Sequence, residues 1–251
     1  MPRVLIIPWF FYKSHQLNRY IALYKKLGAT KIDILHHNTF DILTPKGLFN
    51  FQEQGWKKNI IPYDIVHSFS GGSLIIPYLS HNPNSHYINV FDSGPMFPSI
   101  KQTGQFICNF TGVPLHAQRP FELMVGANWV LQALYYNDDL STTITRLKKT
   151  HSEEIHNYFC DENKNNLTPN LTPNRTQYDN TIHKYYNWLK NIKNATVLIG
   201  DDDTYLDYKS INFINKFTNS KIYKFPDTTH LNLYKNHPQK YEHILSIIRK
   251  N

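Results

Sequence analysis

The chain has 251 residues, 41% of them hydrophobic and 14% aromatic, enough to bury one large core, which excludes a disordered or fibrous protein. Its formal charge of +8 comes from lysines and arginines scattered without a sustained block, a pattern that argues against a nucleic-acid partner. No window reaches the roughly 18 to 20 apolar residues of a membrane span, and Cys108 and Cys160 form neither a C-x-x-C pair nor a metal pattern, so no transmembrane segment, metal or cofactor is expected.

The opening run, Val4 to Ile7, is too short for the core of a signal peptide and is followed by no small-residue cleavage site. Together with two free thiols, this reads as a cytoplasmic protein. The run is continuous and apolar, as in a strand buried on both faces of a parallel sheet. Leu17, Tyr20, Ile21, Tyr24 and Leu27 then recur at three- and four-residue steps, closed by Gly28, which predicts an amphipathic helix with glycine at its C′ position. Lys31 to Leu35 follows as a second strand. The opening is therefore a β-α-β unit, and the class is α/β with a mostly parallel central sheet and helices on both faces.

A loop and a helix are expected from Asn38 to Trp56, before Ile60 to Val66 leads into Ser68-Phe69-Ser70-Gly71-Gly72. This is a relaxed form of the G-x-S-x-G elbow, in which a strained strand-to-helix turn exposes a serine hydroxyl above the sheet. Small residues at 68 and 72 suit a backbone that doubles back on itself. Leu74 to Leu79 is expected to continue as the helix behind the turn, and Tyr87 to Phe91 as a further strand that ends in Asp92-Ser93-Gly94-Pro95.

From about residue 98 to 161 the sequence is mainly helical and rich in aromatics, including Phe121 to Tyr136 and a polar helix ending near Phe159. It reads as a lid insertion or as further packing helices. The four-residue repeat in Asn166 to Asn174 is of low complexity and broken by prolines, so residues 162–177 read as a surface loop within a single domain. A helix around Tyr178 to Ile192, a buried strand at Ala195 to Gly200, a helix from Ser210 to Phe217 and a strand from Lys221 to Phe225 complete the sheet. The last helix opens after Pro238 and carries Tyr241, Ile244, Leu245 and Ile248 on one face.

A serine nucleophile needs a base within hydrogen-bond reach, and the base needs an acid to fix its tautomer. Ser70, Asp203 and His230 occur in the order nucleophile, acid, base, each just beyond a predicted strand. That is the order of the α/β-hydrolase fold. Gly200-x-x-Asp203 places that carboxylate one turn past its strand, ahead of Asp201 and Asp202. Asp92, which also follows a strand, is the alternative acid, or else braces its own turn. The backbone N–H groups of Gly71 and of Trp9, in the loop after the first strand, are the candidate oxyanion donors.

The sequence resembles the PaxU-like group of α/β-hydrolase-fold proteins, which includes the vertebrate nuclear-envelope transmembrane protein and many members of unknown function. The matching pieces are Trp9, Asn18-Arg19-Tyr20 through Tyr24, Leu27-Gly28, His67-x-Phe69-Ser70, Phe91-Asp92-Ser93-x-Pro95, and His230 with Tyr234 to Pro238 and Tyr241. The resemblance implies Ser70, Asp203 and His230 in the usual roles. Where the group usually reads Phe-Ser-Asn-Gly-Gly, this chain has Gly71 for the Asn and Ser73 for the last Gly. A backbone donor survives that change, whereas any role of an Asn side chain does not.

The leading reading is a serine hydrolase acting on a small-molecule carboxylic ester or lipid-like substrate with an apolar acyl or aromatic group. The alternatives are a non-catalytic scaffold of the same fold, binding a protein, lipid or membrane-surface partner, and a phosphate-binding turn at Ser70 to Ser73.

Overall fold

The computed structural model describes residues 1–37, 63–79, 87–95, 104–105, 107–108, 112–135, 185, 187–189, 191–192, 194–206, 215 and 220–250. The predicted elements at Asn38 to Trp56, the polar helix ending near Phe159 and the loop at 162–177 lie outside the described residues, and of the helix predicted from Ser210 to Phe217 only Asn215 lies within them.

Six strands form one sheet: β1 (Arg3–Ile7), β2 (Lys31–Ile34), β3 (Ile65–Phe69), β4 (Ile88–Asp92), β5 (Ala195–Gly200) and β6 (Lys221–Phe225). Their order is β2-β1-β3-β4-β5-β6, and every neighbouring pair is parallel. The chain steps outward from β1 to β2, then returns to the other side of β1 and advances one strand at a time. The reversal between β1 and β3 is a topological switch point, where open α/β sheets leave a crevice beyond their strands' carboxyl ends.

Strand alternation divides the core into two layers. Val4, Ile6, Ile65, Phe69, Val90, Leu198 and Phe225 face helix α1 (Ser14–Lys26) and the C-terminal helix. Leu5, Ile7, Val66, Phe91, Val197 and Ile199 face Leu74 to Ile76 together with Tyr185 and Leu189, which are helical. Helices thus cover both faces, and β3 and β5 are buried along their whole length.

Helix α1 follows its predicted pattern: Leu17, Tyr20, Leu23 and Tyr24 are buried. Gly28 takes φ +79° just past its end, a conformation in which a Cβ is unfavourable. Helix α2 (Gln118–Tyr135) covers most of the predicted aromatic helix. A short helix α3 (Leu233–Asn236) precedes α4 (Pro238–Lys250), which buries Tyr241, Ile244, Leu245 and Ile248 and has proline in its first turn, where no N–H partner is lost.

The helix expected behind the elbow is present over Ser70–Tyr78 and takes the 3-10 form. Pro77 inside it has no N–H for the i→i−4 ladder, and the N–H of Leu79 is shared between the carbonyls of Ile75 and Ile76 at 3.3 and 3.1 Å. Among the described residues no helix is long and apolar enough to cross a membrane.

Candidate active site

Ser70 directly follows β3 and has φ +48°, a strained conformation for a residue with a Cβ. The turn is held tightly because the segment after Ser70 passes against the end of β1. A Cβ at Gly72 would run into the Pro8 carbonyl oxygen and come within 2.9 Å of that of Ile7. Register sets the neighbours. Ile7 pairs with Ser68, so Trp9 and Ser70, each two residues further on, leave adjacent strands side by side.

Asp203 ends a turn beyond β5, its N–H bonded to the Gly200 carbonyl at 3.2 Å. The carboxylate is fully buried at the side chain, and Oδ1 accepts the N–H groups of Tyr205 and Leu206, both at 3.0 Å. His230 follows β6 on the loop that begins at Pro226. Its Nδ1 lies 3.0 and 2.8 Å from the two carboxylate oxygens of Asp203, and its Nε2 lies 2.7 Å from Ser70 Oγ.

These contacts determine where the protons sit. A carboxylate only accepts, so His230 donates through Nδ1–H, which leaves Nε2 as the acceptor for the Ser70 hydroxyl. The ring of Tyr205 packs against the imidazole at 5.0 Å between centroids. The structure thus brings together Ser70, His230 and Asp203, which the sequence leaves 160 and 27 residues apart.

Asp92 lies elsewhere. It ends β4 with its side chain fully buried, where it accepts the Tyr241 hydroxyl at 2.5 Å and that of Ser93 at 3.2 Å. Burial raises its pKa to about 6, partly offset by the hydrogen bonds from Tyr241 and Ser93. Asp92 makes no hydrogen bond with the His230 imidazole and braces its own turn through Ser93.

The non-glycine residues with positive φ among those described are Phe11, Ser70, Ser93, Asp227 and Leu231. All of them lie just beyond the carboxyl ends of β1, β3, β4 and β6. Strained backbone of this kind persists only where surrounding contacts over-determine it, and it clusters at functional sites. A separate cleft of about 610 Å³, lined in part by Pro2, Ile88, Asn194 and Lys221, lies at the opposite, amino-terminal ends of the strands. It takes no part in this constellation.

Sequence reasoning passed over the roles of Tyr205, of Ser93 and of the buried His67. His67 is legible as a polar interruption in the otherwise apolar face of β3, and His67 and Ser93 both stand in the motifs that carry the resemblance; Tyr205 leaves no signal.

No family model matches the sequence, and no curated protein matches it. Solved structures do match in fold. An esterase of Pyrococcus furiosus superposes with a TM-score of 0.53 at 13% identity, covering 99% of this chain and 81% of that one. A structure from work on carboxylesterases of the thaumarchaeon Nitrososphaera gargenis gives 0.53 at 12%, covering 99% and 91%. With the six-stranded parallel sheet, these matches show that the chain has the α/β-hydrolase fold.

Proposed function

We propose that this α/β-hydrolase-fold chain is a serine hydrolase acting on carboxylic esters. The observation that carries the reading is the continuous hydrogen-bonded line from Ser70 Oγ through His230 to a buried Asp203. As Ser70 Oγ attacks the acyl carbon, its proton passes to His230 Nε2, and Asp203 holds the resulting imidazolium through Nδ1–H. The oxyanion is received by the N–H groups of Gly71 and Trp9, which flank Ser70 on the elbow and on the adjacent strand end. His230 then returns the proton to the departing alcohol. A water, deprotonated by the same nitrogen, releases the acid and restores Ser70.

The preferred acyl or aromatic group is apolar. Support comes from α2, which lies in the connection between β4 and β5 and exposes Leu123, Met124 and Leu131. Under this reading α2 is part of the predicted lid over the site. The phosphate-turn reading calls for a remote His230, and the scaffold reading for either a remote His230 or a pocket filled by the protein's own side chains; the 2.7 Å contact counts against the first and supports the enzyme.

A fluorophosphonate probe is expected to label the folded protein on Ser70 alone, and Ser70→Ala to abolish both labelling and hydrolysis of short activated esters. Asp203→Asn should slow the reaction by about 10³- to 10⁴-fold by favouring the wrong tautomer. Absence of labelling, with ester hydrolysis unchanged in Ser70→Ala, would overturn the reading.

A further inference from the structure

Beneath the elbow lies a buried polar chain to which the triad assigns no role. His67, in the middle of β3, faces the layer covered by α1 and α4 and is fully buried. A neutral imidazole in such a place costs stability unless both ring nitrogens find partners. Each helix supplies one. Tyr24 of α1 places its hydroxyl 2.8 Å from Nδ1, and Tyr241 of α4 places its own 3.2 Å from Nε2.

Counting hydrogens fixes the direction of the whole chain. The Tyr241 hydroxyl donates to Asp92 Oδ2 at 2.5 Å, so its only hydrogen is used and it must accept from His67. His67 therefore carries its proton on Nε2, and Nδ1 accepts from Tyr24. At the other end, Ser93 Oγ donates to Asp92 Oδ1 at 3.2 Å. Its lone pairs remain free to accept the N–H of Leu231 at 3.0 Å. Every hydrogen is assigned once and none conflicts.

Leu231 is the residue after His230, so its N–H belongs to the peptide unit that closes the His230 backbone. We propose that Ser93 is a positioning residue for His230: its hydroxyl, oriented by Asp92 and the Tyr241–His67–Tyr24 chain, fixes the His230–Leu231 peptide and so the direction in which the imidazole meets Ser70. Both ends of this contact are strained, Ser93 at φ +53° and Leu231 at φ +60°. Neither conformation is held by local preference, so the hydrogen bond between them supplies part of the required over-determination. Ser93 is fully buried.

The inference rests on the serine-hydrolase reading, and its test separates the two. Ser93→Gly removes the hydroxyl while leaving a residue that adopts positive φ freely. Four quantities are measured on it: the rate of fluorophosphonate labelling, kcat and KM for p-nitrophenyl acetate, and the proton NMR resonance of His230 Nδ1–H. A lost orientation predicts labelling and kcat reduced by about 10- to 100-fold, KM within about twofold of wild type, and a broadened Nδ1–H resonance. In an Asp203→Asn background, where the ring is already misdirected, the same change should cost little more.

Wild-type rates with a sharp, unshifted resonance in Ser93→Gly overturn the proposal. So does a loss confined to KM. Should Ser93→Gly fail to fold, Tyr241→Phe, which keeps the ring but removes the donor to Asp92, carries the test: a several-fold drop in kcat supports the proposal and a wild-type kcat overturns it. If the wild-type protein itself is not labelled, it is the hydrolase reading that fails. The Nδ1–H resonance then decides the positioning role alone, broadening in Ser93→Gly supporting it and an unchanged signal overturning it.

Discussion

The carbonyl oxygen of Thr228 occupies the place where a Cβ on Gly200 would stand. Strand β5, which leads to Asp203, and the loop that carries His230 therefore meet backbone to backbone, and the Asp202 N–H bonds the same carbonyl at 3.2 Å. Gly200→Ala must push these segments apart. The expected result is a loss of about 1–3 kcal/mol of stability together with slower fluorophosphonate labelling. Urea unfolding and the labelling rate check the two effects separately, and an unchanged rate would show that the loop is positioned from elsewhere.

Ser70 holds φ +48°, which a side chain disfavours and glycine does not. Both Ser70→Ala and Ser70→Gly remove the hydroxyl and its bond to His230, so their difference isolates the backbone. Ser70→Gly should be the more stable of the two by about 1 kcal/mol, as read from thermal or urea midpoints, and both should be inactive. Equal stabilities would mean that the elbow stores no strain.

Gly71 directly follows Ser70, at the position where the group that the sequence resembles usually has Asn. The ring of Phe10 lies where a side chain would go: a Cβ at Gly71 would overlap Cζ and come within 2.9 Å of Cε1. Phe10 is itself buried among Ile7, Leu74 and their neighbours, so it has little room to swing away. Gly71→Asn alone should lower stability by about 1–3 kcal/mol and reduce labelling. Adding Phe10→Ala should recover part of the loss, giving a coupling of about 0.5–3 kcal/mol in a double-mutant cycle. Strict additivity would show that the two positions are independent.

The buried chain also sets how stability responds to pH. Burial pushes Asp92 up to about 6 from 3.8, so between these values the folded protein holds a proton that the unfolded chain has released, and stability falls as pH rises. His67 is lowered from 6.5 to about 3 by burial. Between those values the unfolded chain holds the extra proton, and stability rises with pH. From about pH 4 to 6 the two contributions cancel. Asp92→Asn removes only the first, so its stability should climb by about 1.4 kcal/mol per pH unit relative to wild type across that window. Urea unfolding at about pH 4.5 and 6 measures it, and parallel curves for the two proteins would refute the opposition.

Much of this architecture is written in the sequence in simple terms. The continuous apolar runs at Val4 to Ile7 and Ala195 to Gly200 are β1 and β5, and the three- and four-residue spacing of Leu17 to Tyr24 and of Tyr241 to Ile248 is that of α1 and α4. Ser70, Asp203 and His230 stand out because the carboxyl ends of parallel strands all point to one edge. What stays hidden depends on contacts between segments distant in sequence. Ser93 reads as a turn serine until Leu231, 138 residues later, donates to it. His67 reads as a flaw in a strand until two helices far apart in the chain each bring a tyrosine to it. The 3-10 form of Ser70–Tyr78 is a further detail that hydrophobic periodicity does not register.

The pairing of β4 with β5 sets Asp92 beside Leu198, although everything from Ser93 to Asn194 comes between them in the chain. Ser70, Asp203 and His230 each lie beyond the carboxyl end of a strand of the sheet, β3, β5 and β6. None of the three comes from the long connection, whose first residue, Ser93, accepts the Leu231 N–H. Under the proposed reading, substrate preference can be rewritten in that connection beyond Ser93, while the three reacting groups are inherited with the strand ends.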